Sequence, residues 1–154
     1  MKNENKKVIT KMKGKVAYVT TEDNVARMKI AVDEETFKRL EEETEIFENS
    51  LTWSDPMENC EDYECCFNVK SNLDFKPTIY DRKGSEIDYT DFPINPNAIV
   101  LLEIVIKEMP YRRKNYTSAY LKTAVIIENG EPLTSQKTSF DDFKDMLNEE
   151  DVEF

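Results

Sequence analysis

Histidine is absent from all 154 residues. That removes the commonest general base at neutral pH and the commonest metal ligand. Catalysis would then rest on carboxylates, lysine or cysteine, and the many acids form no spaced nuclease-like or phosphatase-like motif. With only three glycines, there is no glycine-rich loop to cradle a phosphate. The cysteines, Cys60, Cys65 and Cys66, are odd in number and too few for a disulfide framework. Adjacent Cys65 and Cys66 would point to opposite faces of a strand, so they are read as small half-buried residues rather than zinc ligands. No apolar run reaches the roughly 18 residues of a membrane span, and the charged opening Met1-Lys2-Asn3-Glu4-Asn5-Lys6-Lys7 lacks the apolar stretch of a signal peptide. The expectation is a cytoplasmic, non-enzymatic protein with no cofactor, no metal and no membrane association.

What is abundant is acid, unevenly placed. The net charge is −11, which taken alone argues against a nucleic-acid partner. Yet residues 1–21 carry six lysines and one acid, and residues 65–127 carry nine bases against seven acids. The acidity sits in two blocks: 22–64, with fifteen acids against four bases, and 141–154, with seven acids and one lysine. A hydrophobic content of 39% suffices for one core, on the low side. This divides the chain into a packed domain, 1–133, and a flexible acidic tail, 134–154.

Along the chain, 1–15 reads as a frayed basic arm or a strand entered late, and 15–20 and 27–32 alternate as strands. The period changes at Asp33, which can cap a helix whose first acids suit its dipole. Phe37, Leu40, Thr44 and Phe47 form one apolar stripe to about residue 48. Residues 49–64 are irregular, with Trp53 read as an anchor of that loop to the core. Strands follow at 65–70 and 75–80, the latter at an edge or strand start because of Pro77. A tight turn at 81–84 precedes a return over 86–89. The strongest strand is 98–107; then come a basic loop, 109–116, a second long strand, 117–128, and a turn at Asn129-Gly130. Many strands, one helix and long loops indicate a mainly β small barrel, whose closure removes exposed edges.

Two stretches combine cations with aromatic planes, as sequence-tolerant single-strand binding requires. One is Tyr111-Arg112-Arg113-Lys114-Asn115-Tyr116, continued by Tyr120 and Lys122 on the same strand face as Tyr116 and Ser118. The other places Lys76, Thr78, Tyr80 and Arg82 on one face, with Pro77 and Ile79 on the other. A third feature is the tail, where Asp141, Asp142, Asp145, Glu149, Glu150, Asp151 and Glu153 surround scattered apolar residues and end at Phe154. Such a segment buries little surface. It can mimic nucleic acid in a basic groove or offer its terminal aromatic and carboxylate to a partner.

In order along the chain, Lys76-Pro77-Thr78-Ile79-Tyr80-Asp81, the apolar strand, the basic loop, the strand 119–128, Asn129-Gly130-Glu131-Pro132-Leu133 and Phe140-Asp141-Asp142-Phe143 resemble phage-encoded single-stranded-DNA-binding proteins over about residues 65–154. The resemblance implies a five-stranded OB-like barrel acting in DNA replication and recombination. It implies that Lys76, Tyr80, the 111–116 loop, Tyr120 and Lys122 line the DNA path. It also implies that the tail contacts replication or recombination proteins and competes with DNA. Homo-oligomer formation is left open. The alternative is an acidic DNA mimic that inhibits a host or defence protein. A mimic would spread its acids over a folded surface, whereas here many acids fall in one helix and the tail.

Overall fold

The computed structural model of the chain describes residues 7–130. The tail residues named above, Asp141 to Phe154, and the boundary at 133/134 lie outside the described residues. The described part contains six strands, β1 (Lys7–Glu22), β2 (Val25–Val32), β3 (Cys65–Asn72), β4 (Thr78–Tyr80), β5 (Ile99–Tyr111) and β6 (Lys114–Glu128), and one helix, α1 (Glu34–Glu43). The sheet order is β3-β2-β1-β5-β6-β4, and a parallel β3–β6 pairing closes the first five into a ring. The expected five-stranded barrel with one helix is therefore present, with the short β4 added outside it along β6.

The barrel closes because β1 serves two partners. Its first half pairs antiparallel with β5, from Lys7↔Lys107 to Lys15↔Ile99, and its second half with β2. The changeover falls beside Gly14, where a Cβ would lie 2.5 Å from Ile30 Cγ2 and 2.9 Å from the Ala31 carbonyl oxygen. The strand can bend there only without a side chain. The β1–β2 connection is the pair Asp23-Asn24, with φ of 50° and 61°, the positive-φ geometry that joins twisted antiparallel strands through two residues. Inside the ring, Val16, Met28, Ile30, Phe67, Val69, Ile104 and Ile106 are fully buried, as alternation on each strand requires. Leu40 of α1, with Phe47 and Leu51, completes the core.

Several expected boundaries move. The basic segment 7–14 is strand rather than arm, since Thr10 and Met12 point inward while Lys11 and Lys13 stay exposed. Asp33 caps α1, accepting from the Thr36 N–H at 2.8 Å. The helix ends at Glu43, short of residue 48. Glu41, Glu42 and Glu43 crowd the negative end of the dipole with no basic residue in the last turn. Thr44 stops it, donating its hydroxyl to the Leu40 carbonyl at 2.7 Å. Trp53 is an anchor as expected: its ring lies 4.7 Å from Phe37 and 5.0 Å from Phe67, centroid to centroid.

The 75–80 strand shrinks to Thr78–Tyr80, an edge strand preceded by Pro77 and a 3₁₀ turn, Leu73–Phe75. The tight turn 81–84 is present, with Gly84 at φ 88° and the Asp81 carboxylate accepting from the Lys83 and Ser85 N–H groups. Residues 86–89 return only as a bridge, Tyr80↔Glu86. The 109–116 loop is not a loop: β5 and β6 remain paired to Tyr111↔Lys114, leaving Arg112 and Arg113 as a two-residue tip. Asn129-Gly130 forms no turn among the described residues. Asn129 instead donates to the Pro93 carbonyl and accepts from the Asn95 N–H.

Candidate nucleic-acid interface

Strand register aligns side chains from different strands on the outside of the ring. Thr20 faces Arg27 across β1–β2, Arg27 faces Lys70 across β2–β3, and Lys70 faces Tyr120 across β3–β6. Tyr120 faces Val105 on β5, which faces Ile9 on β1. Two residue pairs along, Lys7 faces Lys107, and the Lys107 ammonium lies 4.9 Å from the Tyr120 ring centre. On the neighbouring row Tyr18 faces Lys29, whose ammonium is 5.5 Å from the Tyr18 ring. Cations held over aromatic faces are mutually attractive. Directly opposed like charges, Arg27↔Lys70 and Lys7↔Lys107, are destabilising unless something negative lies across them.

Between β3 and β6 the strands pair only over Val69–Lys70 and Ala119–Tyr120 and then diverge. The opening is a cleft of about 250 Å³ lined by Phe67, Asn68, Lys70, Tyr116 and Ser118, among others. Its far wall is held by the segment after α1: Asn49 donates to the Asn115 carbonyl at 2.6 Å, and Thr117 donates to the Asn49 carbonyl.

The structure splits the sequence-predicted residues into two groups. Tyr116, Ser118, Tyr120 and Lys122 do share the outer face of β6, with Tyr116 exposed and Ala119 and Leu121 buried beneath. Lys122 sits at a bulge and approaches Glu103 at 3.9 Å, the acid on this face of β5. Arg112, Arg113 and Lys114 are exposed at the hairpin tip that Tyr111 leads into. The second group lies at the other end of β6. Tyr80 faces Val125, five residues beyond Tyr120 and so roughly 17 Å along the strand. It borders an apolar trough with Lys11, Lys13 and Leu101. Arg82 is exposed in the turn beyond it. Lys76 is engaged locally, donating to the Tyr89 carbonyl at 2.5 Å with its ammonium 5.1 Å from the Tyr89 ring centre.

Sequence reading missed Lys7, Arg27, Lys29, Lys70 and Lys107. The signal was present, because 27–32 alternates cation and apolar residue, so Arg27 and Lys29 had to share the face opposite Met28 and Ile30. What the sequence could not show is that β3 and β6 would set Lys70 beside Tyr120.

Glu103 lies on this face beside Lys122, whereas the acidic 58–64 segment borders it. The segment with the 3₁₀ turn Glu58–Cys60 covers the outside of β1, β2 and β3 at Ala17, Ala31 and Cys66. It is pinned by Asn59, which donates to the Ala17 carbonyl at 2.9 Å and accepts from Lys15 at 2.7 Å. Cys65 points into the main core and Cys66 to this outer cluster, as their adjacency in a strand required. Burial raises both thiols, Cys65 to about 12, so neither is a nucleophile at neutral pH. Among the described residues no three His, Cys, Asp or Glu side chains gather to hold a metal ion, and no helix is long and apolar enough to cross a membrane.

No protein-family model and no curated protein sequence matches the chain. Solved structures do. The single-stranded-DNA-binding protein of bacteriophage Enc34 superposes with a TM-score of 0.57 at 8% identity, covering 87% of this chain and 88% of that one. The chain shares the fold of phage single-stranded-DNA-binding proteins. The gp2.5 single-stranded-DNA-binding protein of bacteriophage T7 gives 0.52 at 12% identity, over 85% of this chain and 97% of that one. The Enc34 protein solved in complex with single-stranded DNA gives 0.53 at 9% identity, over 81% and 89%. Both phage proteins are matched over nearly their whole length, so the likeness covers the complete barrel rather than a shared hairpin.

Proposed function

We propose that this protein binds single-stranded DNA without strong sequence preference, protecting single strands during phage DNA replication and recombination. The observation that carries the reading is the row Arg27–Lys70–Tyr120, with Lys107 over the Tyr120 ring. It offers phosphate-binding cations and a stacking plane at adjacent strand positions. It also leaves two pairs of like charges facing each other, which a polyanion relieves. Each base–aromatic stack contributes roughly 1–3 kcal/mol regardless of base identity, and each neutralised phosphate adds salt-dependent affinity through counterion release. Tyr116, Tyr120, Lys122 and the tip Tyr111, Arg112, Arg113 and Lys114 belong to this path. Lys76, Tyr80 and Arg82 continue it along the far end of β6. The 134–154 tail recruits replication or recombination proteins, its acids and Phe154 meeting a basic pocket, and it competes with DNA for the face.

The test is a fluorescence-anisotropy titration of labelled single-stranded and duplex oligonucleotides at two salt concentrations, using the full chain and a version ending at residue 139. Tighter binding of the single strand, strengthened by removing the tail, is the expected result. Absence of binding by both versions would sink the reading and leave the acidic mimic of DNA in its place.

A further inference from the structure

Phe75 is the most exposed large apolar residue among those described, at 82%, and hydrogen bonds flank it on both sides. The Asn72 side chain accepts from the Asp74 N–H at 2.9 Å at the start of the 3₁₀ turn Leu73–Phe75, and Leu73 N–H donates to the Asn24 carbonyl of the β1–β2 turn at 2.8 Å. On the other side Lys76 is tied to Tyr89, and Pro77 is buried. A lone exposed phenylalanine is ordinary on a protein surface; what singles out Phe75 is its place in the topology.

Topology says what it faces. The same edge of β6 is flanked by two parallel strands in series: β3 at Ala119–Tyr120, then β4 at Thr123–Val125. The chain leaves that edge after Lys70 and rejoins it at Thr78, and Phe75 rides the excursion between. Along the chain it falls between Lys70, which faces Tyr120, and Tyr80, which faces Val125 with the exposed Arg82 two residues on. The acids here, Asp74 on the turn and Asp23 on the neighbouring β1–β2 turn, disfavour a phosphate at this point, whereas an aromatic plane between two basic stations accepts an uncharged base.

We propose that Phe75 is a stacking platform for an unpaired base, joining the Tyr120 and Tyr80 stations into one continuous path. This rests on the single-strand-binding reading above. The test compares wild-type full-length protein, Phe75→Ala, Phe75→Leu and Phe75→Tyr on oligothymidylates of increasing length. The side chain is solvent-exposed, so the variants fold, which a thermal melt checks. Phe75→Ala and Phe75→Leu are expected to lose roughly five- to hundredfold in affinity on long oligonucleotides and nothing on the shortest that still bind. Phe75→Tyr is expected to restore binding, while Tyr120→Ala weakens every length. Wild-type and Phe75→Ala isotherms that coincide at all lengths would overturn the proposal and leave the function intact. If leucine serves as well as tyrosine, the contact is not stacking and the proposal also falls. Failure of the wild-type protein to bind any oligonucleotide removes the underlying reading and this proposal with it.

Discussion

The barrel wall and the acidic segment 33–64 that caps it carry opposite charge, and they treat charge differently. In the cap both bases are consumed locally: Lys38 pairs with Glu34 at 2.9 Å, and Arg39 bonds Glu43, the Thr10 hydroxyl and the Lys11 carbonyl. On the wall Lys122 meets Glu103 at 3.9 Å, but Arg27 faces Lys70, Lys7 faces Lys107, and Lys29 and Lys107 lie over aromatic rings. Local pairing is what folding alone selects. Among the described residues no acid pairs with Arg27, Lys70, Lys7 or Lys107, and facing like charges on regular strands cost stability, which favours an anionic ligand. A net charge of −11 averages these two surfaces and hides both.

The comparison breaks first at Tyr120. Tyr120→Ala should lower single-stranded-DNA affinity roughly five- to hundredfold while leaving the salt slope nearly unchanged, read from titrations at several salt concentrations. Next come Arg27 and Lys70. The double variant Arg27→Gln, Lys70→Gln should flatten the slope of log affinity against log salt by about 1.4, two phosphates at ~0.7 each. The same variant should melt higher, gaining a few tenths of a kcal/mol, roughly, as the facing charges vanish. Weaker binding joined to higher stability is the signature of a functional face; weaker binding with lower stability would mean that the pair is structural. A smaller effect of opposite sign is expected on the cap. Neutralising the exposed Glu58, Glu61 and Asp62 removes charges that repel a strand leaving the wall. At ~10 Å in water each such pair is worth about 0.4 kcal/mol before screening, so affinity should rise about two- to fivefold at low salt and not at all at high salt.

How much was legible in the sequence follows from which interactions are local. Asp33 as a cap, the two-faced Cys65 and Cys66, the edge strand after Pro77 and the outward series Tyr116, Ser118, Tyr120 and Lys122 all follow from period and residue type within a few positions. The 109–116 loop was misread because Arg112, Arg113 and Lys114 look like solvated loop residues, while cross-strand pairing holds the hairpin to its tip. The entry of β1 at Lys7 depends on β5, about a hundred residues away, and no local signal carries it. The site split the same way. Candidate aromatics and cations close in sequence are legible there, whereas Lys70 beside Tyr120 needs the β3–β6 pairing that closes the ring and Lys7 beside Lys107 needs the distant β1–β5 pairing. Lys76 met the sequence criterion for the path, yet its ammonium is bound to Tyr89.

The smallest effect separates fold from function within the cap itself. Asp33 is exposed, and its carboxylate sits below the ordinary range because the Thr36 N–H donates to it. A carboxyl whose folded pKa is lowered stabilises the protein above its unfolded pKa, near 3.9, and that contribution is lost as pH falls through the folded value. Asp33→Ala should therefore cost about 0.5–1 kcal/mol at pH 7, read from thermal or denaturant melts. The deficit relative to wild type should shrink as pH falls below 4, because the wild-type cap is then protonated too. Single-stranded-DNA affinity should not change, since Asp33 belongs to the cap and not to the Arg27–Lys70–Tyr120 row. A loss of affinity in Asp33→Ala would mean that α1 positions the wall, and the division between an acidic cap and a binding wall would have to be redrawn.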